Sequence, residues 1–439
     1  MKEKIMVKNG FLKSVSTFMV CFCAACSTAI VEDTNQVSVA QGPVVADTNV
    51  TGTNVTDTKL LTIEDINYVG AFALSRDTFG QSSANWSNGV IHVKDDRFYI
   101  TGHNHHDNIA EFVLPPLTTG NSLSDLKIAD QTRQNFAAIY NSSRLINREK
   151  HDYISGLYEH NGALVVNSFE YYDAPADNRQ TTLVVKDSAN LQSSKIMGLH
   201  SLEGAARAAG WISEIPQSWQ PFLGGTHISG NSSGFPIIGR LSVGPSAFVF
   251  DIDSLTTKSK PGRVKTKEVL GFSLKRPLHK DLHNESGQNS IWTHISEVRY
   301  GFIVPGTATY MTIGITGGHK TGVGYKVIQE DGFLCPGYCP HSKTDYQNYY
   351  WLWDVNDMVR VRNGRLNPND VKPYRHGPLT LPSWVTAKDS SKTYNHRTRI
   401  GGASYDQNQN ILYVSVLNAL RANNGDVNPP LILGYQLGQ

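Results

Sequence analysis

From about Leu60 to the C-terminus, the apolar positions fall in short runs rich in Val, Ile, Tyr and Phe, separated by clusters of Gly, Asn, Asp and Pro. That pattern predicts β-strands joined by turns. Helical spacing is scarce, and SLEGAARAAGW (201–211) is the best helical candidate. A loose unit recurs: a glycine-bearing first strand, a polar turn, then a strongly apolar strand that ends in polar residues. It is visible in GVIHVKDDRFYITGHNHH (89–106), SGLYEHNGALVVNSFEYYD (155–173), THISGNSSGFPIIGRLSVGP (226–245), THISEVRYGFIVPGTATYMTIGITGGH (293–319) and IGGASYDQNQNILYVSVLN (400–418). Divergent two-strand units repeated along an all-β chain predict propeller blades, and about 380 residues at ordinary blade size predict seven of them. Five units are visible, and two more are not delimited by the repeat. The structural rival is a two-sheet sandwich, for which this length is large.

The N-terminal end has a different composition. Lys2, Lys4, Lys8 and Lys13 precede an apolar run from Val15 to Ala25, too short to span a bilayer as a helix. This is the shape of a secretory signal. It closes on Cys23-Ala24-Ala25-Cys26, which predicts a lipoprotein signal over 1–26 with Cys26 as the lipidated residue; ordinary cleavage nearby would still export the chain. Residues 27–59 are rich in Thr, Val, Asn and Asp and hold no aromatic residue, so they predict a flexible linker. The body is then 60–439, exported and tethered to the bacterial outer membrane by lipid alone, on its periplasmic or outer side. No later stretch is long and apolar enough to cross a membrane as a helix.

Charge narrows the partners. The chain carries a formal +2, and the four carboxylates of the linker (Glu32, Asp33, Asp47, Asp57) offset the basic signal, leaving the body weakly positive. Such an excess argues against nucleic-acid binding, although local basic patches could still meet a polyanion. A monomer is expected.

Aligning FYITGHNHHD with LVVNSFEYYD puts His105 over Tyr171 and His106 over Tyr172. In a propeller these positions lie where the second strand of a blade turns into the third, on the same face as the start of each first strand. The same logic puts His227, Arg240 and His294 on that face. His103, His105, His106, Tyr171, Tyr172, His227 and Arg240 would then gather at one mouth, a set suited to proton transfer on an anionic substrate. Strand alternation points His103, His105 and Tyr171 one way, though a turn can break that parity. Taken singly, each of these residues reads more simply as a solvated turn residue. The carboxylates Glu170, Asp173, Asp251 and Asp253 show no pair spaced for glycoside hydrolysis, and no nucleophile elbow, phosphate loop or dinucleotide fingerprint is present.

Three of the five cysteines belong to the signal, so only Cys335 and Cys339 remain in the body. Cys335-x3-Cys339-x-His341 with His319 upstream supplies the two thiolates and two imidazoles that suit a closed, structural Zn²⁺ site. The rival is a Cys335–Cys339 disulfide, natural in an exported protein.

The motifs TGHNHHDNIAEF, NSFEYYDA, NSSGFPIIGRLSVGPSAFVFD, GGHKTG, CPGYCPH and YYWLWDVNDM resemble the seven-bladed β-propeller ulvan lyases of marine bacteria over roughly residues 60–439. The resemblance implies β-elimination between 3-sulfated rhamnose and a glucuronic or iduronic acid in a sulfated algal polysaccharide. It implies proton transfer by a His of the 103–106 run and a Tyr of the 171–172 pair, with His103, His105, Tyr171 and Tyr172 as catalytic candidates. Arg240, His227 and His106 become candidates for binding the substrate and its carboxylate. It also implies structural zinc, and no organic cofactor. A non-catalytic glycan-binding propeller and a propeller glycoside hydrolase are the competing functions.

Overall fold

The computed structural model describes residues 59–140, 142–173, 175–232, 242–386, 397–421 and 427–438. The signal, its Cys26, nearly all of the linker and Arg240 lie outside the described residues.

Five sheets of four or five strands follow one another along the chain. The first blade comprises Ile91–Lys94, Arg97–Thr101, Asn108–Val113 and Thr132–Ala138. The second comprises Tyr153–His160, Ala163–Phe169, Thr182–Val185 and Ile196–Leu202, with Arg263–Val264 added in parallel at its edge. Ile212–Glu214, His227–Ser232, Pro245–Phe250 and Lys267–Leu270 form the third. The fourth is built from Glu297–Ile303, Thr309–Gly317, Tyr346–Asp354 and Pro373–Pro378. Arg399–Asp406, Ile411–Leu417 and Leu431–Leu437 make the fifth, which Ile66–Leu74 completes from the other end of the chain.

The first strand of each blade neighbours the first strand of the next, and the fifth blade returns to the first, closing a ring. Closure is sealed twice. Ile66–Leu74 pairs antiparallel with Leu431–Leu437, from Ile66↔Leu437 to Ala73↔Leu431. At the channel wall, Val93 N–H donates to Ser404 Oγ at 2.9 Å and Asp95 N–H to Asp406 Oδ2 at 3.2 Å. A ring of this kind leaves no long unpaired edge at the join.

The propeller expectation therefore holds, but with five blades among the described residues and not seven. Length divided by an ordinary blade size overcounts because much of the chain lies outside the blades: residues 271–296 join the third blade to the fourth, and 318–345, with a small hairpin of their own, intervene within the fourth. The helix expected over 201–211 shrinks to a 3-10 turn, Ala205–Ala208. Its two flanking glycines are held in close contact, Gly204 against Phe248 and Gly210 against Gly230 O, so the segment serves as packing between blades.

The inner wall needs glycine where the second and third blades meet, and again within the third. A Cβ on Gly156 would lie 2.0 Å from Gly210 O, and one on Gly210 would lie 2.1 Å from Gly230 O. Asn167 binds the same seam, its Nδ2 donating to Gly210 O and Ser229 Oγ, both at 2.9 Å. Between sheets the core is aromatic: Trp351, Trp353, Tyr310, Phe98, Phe112 and Phe136 are fully buried.

Candidate functional site at the upper mouth of the channel

The five first strands run the same way, so their starts define one face, called upper here. The turns from second to third strand lie on that face too, and they hold the 102–107 and 170–181 segments. At the centre of the upper face is a cavity of about 100 Å³ lined by Tyr153, Ser155, Phe169, Tyr171, Trp211, Asn231, Ser232, Glu297 and Arg299.

The first strands carry these groups to the channel. Tyr153 and Ser155, and likewise Glu297 and Arg299, line the cavity together, with Ser155 and Arg299 each at a bulge where the ladder register shifts. Arg299 Nη1 donates to the Tyr153 hydroxyl at 2.9 Å, and Arg299 Nη2 is paired with the Glu297 carboxylate. Tyr153 also stacks on Phe169 at 4.9 Å with planes 9° apart, which fixes its ring. A phenol oxygen that accepts from a guanidinium has its own O–H to direct elsewhere, and here the cavity is alongside. The Tyr171 ring is 47% exposed at the rim, its backbone N–H held by Asp152 Oδ1 at 2.7 Å. Tyr172, more exposed, is not part of the lining.

The histidine run borders a small crevice beside this cavity, lined by Asn88, Gly102, His103, Asp107 and Ile154, the chain neighbour of Tyr153. His103 is half-buried; its ring lies 4.8 Å from that of His106 and 5.3 Å from that of His105. Ser82 Oγ accepts from His103 N–H at 3.2 Å and contacts His106 Nδ1 at 2.8 Å. The turn thus gathers all three rings, and the strand parity expected for His103 and His105 ends at His103. Burial, with the charges of His106 and His105, lowers the His103 pKa below its ordinary value. Neutral imidazole, the form that accepts a proton, is favoured there.

His227 is not at this mouth. It begins His227–Ser232, the second strand of its blade, and second strands begin on the lower face. The repeat read at 226–245 was one strand out of step. The true first strand, Ile212–Glu214, is separated from its partner by an insertion carrying the helical turn Gln220–Leu223. His227 is buried against Tyr158 (4.7 Å) and His160 (5.6 Å), which line a cavity of about 290 Å³ at the opposite end of the channel. Burial pushes its pKa down to about 3. His294, by contrast, is at the upper face, where its carbonyl accepts from Ser242 N–H at 2.9 Å. Arg240 falls in the 233–241 stretch outside the described residues.

The proposed zinc ligands do not fit a metal as arranged. Cys335 and Cys339 are joined in a disulfide, so neither offers a thiolate. Both ring nitrogens of His319 are engaged, Nδ1 with Asn289 O at 2.7 Å and Nε2 with Thr316 Oγ1 at 2.9 Å. His341 is exposed on the hairpin that pairs Val323–Tyr325 with Tyr338–Pro340. Among the described residues no group of three or more His, Cys, Asp or Glu is arranged to hold a metal ion. The disulfide, the rival reading of the pair, is what closes this loop.

Tyr153, Glu297 and Arg299 were absent from the sequence candidates. Their signal was present: polar groups at alternate positions of a first strand, in YIS and EVR.

No family profile matches the chain, and no curated protein matches it. A solved structure of a new family of polysaccharide lyase, an ulvan lyase, is 10% identical, with 85% of this chain and 74% of that chain covered and a TM-score of 0.30. A likeness that weak carries no inference about fold or activity, which rest on the blades and the mouth themselves.

Proposed function

We propose that this chain is a polysaccharide lyase that cleaves ulvan, or a related sulfated uronate polymer, by β-elimination at the upper mouth. The observation that carries the reading is the Tyr153–Arg299 contact at 2.9 Å, set in a cavity that Tyr171 borders and His103 adjoins. Elimination needs a cation at the uronate carboxylate, a base for the C5 proton and an acid for the departing O4. The C5–H electrons form the C4–C5 double bond as the C4–O4 bond breaks, so no water is consumed. Arg299, with Arg240 as a further candidate, meets the carboxylate, the substrate exchanging with Glu297 for the Nη2 donor; a planar guanidinium suits that task. Tyr171 and the neutral His103 are the proton-transfer pair, and Tyr153, fixed by Arg299 and Phe169, is the third group within the same mouth. His105 and Tyr172 stay as alternative proton-transfer groups on the rim, and His106 as a substrate contact.

Hydrolysis is less well supported. Glycosidases use two carboxyl groups, and Glu297 is the single carboxylate among the described lining residues, already paired with Arg299. The protein is taken to be exported and lipid-anchored through Cys26, with substrate reached at the cell surface or in the periplasm.

The test is the absorbance of the unsaturated uronate formed when the protein is incubated with ulvan. Elimination creates that chromophore; hydrolysis and simple binding do not. Loss of polymer length without absorbance would replace this reading with hydrolysis.

A further inference from the structure

A second feature plays no part in the proposed chemistry. Five cationic side chains, Lys258, Arg263, Lys265, Lys267 and Arg362, line a groove of about 550 Å³ together with one carboxylate, Asp251. They converge from separate elements. Lys258 follows the helical turn Asp253–Thr256, Arg263 and Lys267 belong to the edge strands Arg263–Val264 and Lys267–Leu270, and Arg362 ends the helix Val355–Arg362. Behind the groove, Lys186 Nζ donates to Thr256 O and Lys258 O, adding a further positive charge. Arg263 is offset by Glu203 at 3.1 Å. Among the described residues no carboxylate stands within ion-pair distance of Lys258, Lys265, Lys267 or Arg362.

Lysines on an edge strand commonly serve only to discourage pairing with other chains. That role accounts for Lys267 and Arg263, and Arg362 Nε is held by Leu223 O at 3.1 Å, but neither accounts for Lys258 and Lys265 facing the same concavity. Five cations face two carboxylates there, Asp251 and Glu203; the excess of like charge repels itself, and a concave wall focuses its field. Such a groove attracts a polyanion.

We infer that this groove is a secondary binding site for a stretch of sulfated or carboxylated polysaccharide, separate from the upper mouth. The inference deepens the proposed function, since it assigns the same polymer class to a second surface. Shape favours a polymer chain over a lipid surface, because a flat bilayer meets a convex basic face better than a groove. Single-stranded nucleic acid is disfavoured, because its binders offer exposed aromatic platforms and the aromatic in this lining, Phe250, is buried. Lys265 and Lys267 are exposed and two residues apart, so both ammonium groups lie along one side of an extended segment.

The experiment is affinity electrophoresis of the full chain in gels carrying ulvan, compared with gels carrying uncharged dextran. Wild type is set against the double variant Lys265→Glu, Lys267→Glu, with thermal melting to verify that the fold is unchanged. Wild type should be retarded by ulvan and not by dextran. The variant should bind ulvan about tenfold more weakly at low salt, and the difference should shrink as salt rises. Its elimination rate on a short unsaturated-product-forming oligosaccharide should equal wild type, while KM for the polymer rises. Equal retardation of both proteins by ulvan, no retardation of wild type, or equal retardation by dextran would each overturn the site. Binding to vesicles containing anionic phosphatidylglycerol is measured in parallel. If the variant loses the vesicles and keeps ulvan, the groove is a lipid-binding face instead. Failure of elimination on ulvan removes the lyase reading alone, since retardation is read without turnover.

Discussion

Arg299, on the first strand of the fourth blade, donates across the channel mouth to the hydroxyl of Tyr153, on the first strand of the second, at 2.9 Å. Two blades that are not neighbours in the ring are thereby joined at the place where a ligand would enter. The contact fixes a phenol and a guanidinium in one geometry.

Tyr153→Phe and Tyr171→Phe are each expected to reduce elimination while leaving polymer affinity nearly intact, by about 10²- to 10⁴-fold for whichever phenol transfers a proton. Arg299→Ala should weaken both affinity and turnover. Arg299→Lys should restore only part of the loss, because an ammonium cannot hold Tyr153 and a carboxylate with planar, parallel donors. Elimination rates and binding constants measured on one set of variants separate these outcomes. If all four retain wild-type rates, the chemistry lies elsewhere on the propeller.

His227→Ala should leave elimination unaffected apart from a loss of stability, since that ring is buried at the lower end of the channel. A selective fall in kcat without a fall in melting temperature would return His227 to the substrate site.

Cys335 and Cys339 are expected to lack free thiols under non-reducing conditions, with no stoichiometric zinc in elemental analysis. They are four residues apart, so the bond constrains a short loop, and replacing both by Ala should cost about 2 kcal/mol by loop-closure entropy. One zinc per chain together with two titratable thiols would restore the His319, Cys335, Cys339, His341 site.

Stability should fall on acidification because buried histidines are held neutral. Burial lowers His92 and His227 to about 3, against a partial opposing pull of Glu159 on His92, and lowers His294 to about 4. These folded values lie below the ordinary 6.5, so between about pH 6.5 and pH 4 the unfolded chain binds more protons than the folded one. Each such group then lowers stability by up to about 1.4 kcal/mol per pH unit as pH drops. Denaturant melts at pH 7.5, 6 and 5 check the sign; stability that is flat or rising toward pH 5 would contradict it.

Gly156→Ala should be severely destabilising, by about 1–3 kcal/mol or more, because the added methyl would meet Gly210 O at 2.0 Å where two blades press together. Gly162→Ala is the control, with open space around its Cβ but a φ of +77° that carries its own modest strain. A melting temperature for Gly156→Ala equal to that of the control would show that the seam is looser than its geometry.

Local pattern made the strands legible. Four of the five repeat units correspond to the first two strands of a blade, because alternation and turn residues act over a few positions. The upper-face location of the 103–106 and 171–172 turns followed from the same rule. What local pattern does not encode is how much chain lies between strands, and for that reason it predicts seven blades where the described residues form five. The third unit slipped by one strand because an insertion parts Ile212–Glu214 from His227–Ser232, and one strand of slip sends His227 to the opposite face.

By itself, then, the sequence determined an all-β chain of repeated hairpins, a histidine run and a tyrosine pair on turns, and two cysteines close enough to bond. Only the tertiary structure decided the closure of the ring by Ile66–Leu74, the pairing of Tyr153 with a guanidinium 146 residues away and the gathering of five cations into one groove. The physical reason is range. Alternation and turn chemistry act between neighbours along the chain, whereas a mouth and a groove are made where residues far apart in sequence are brought together by the packing of blades.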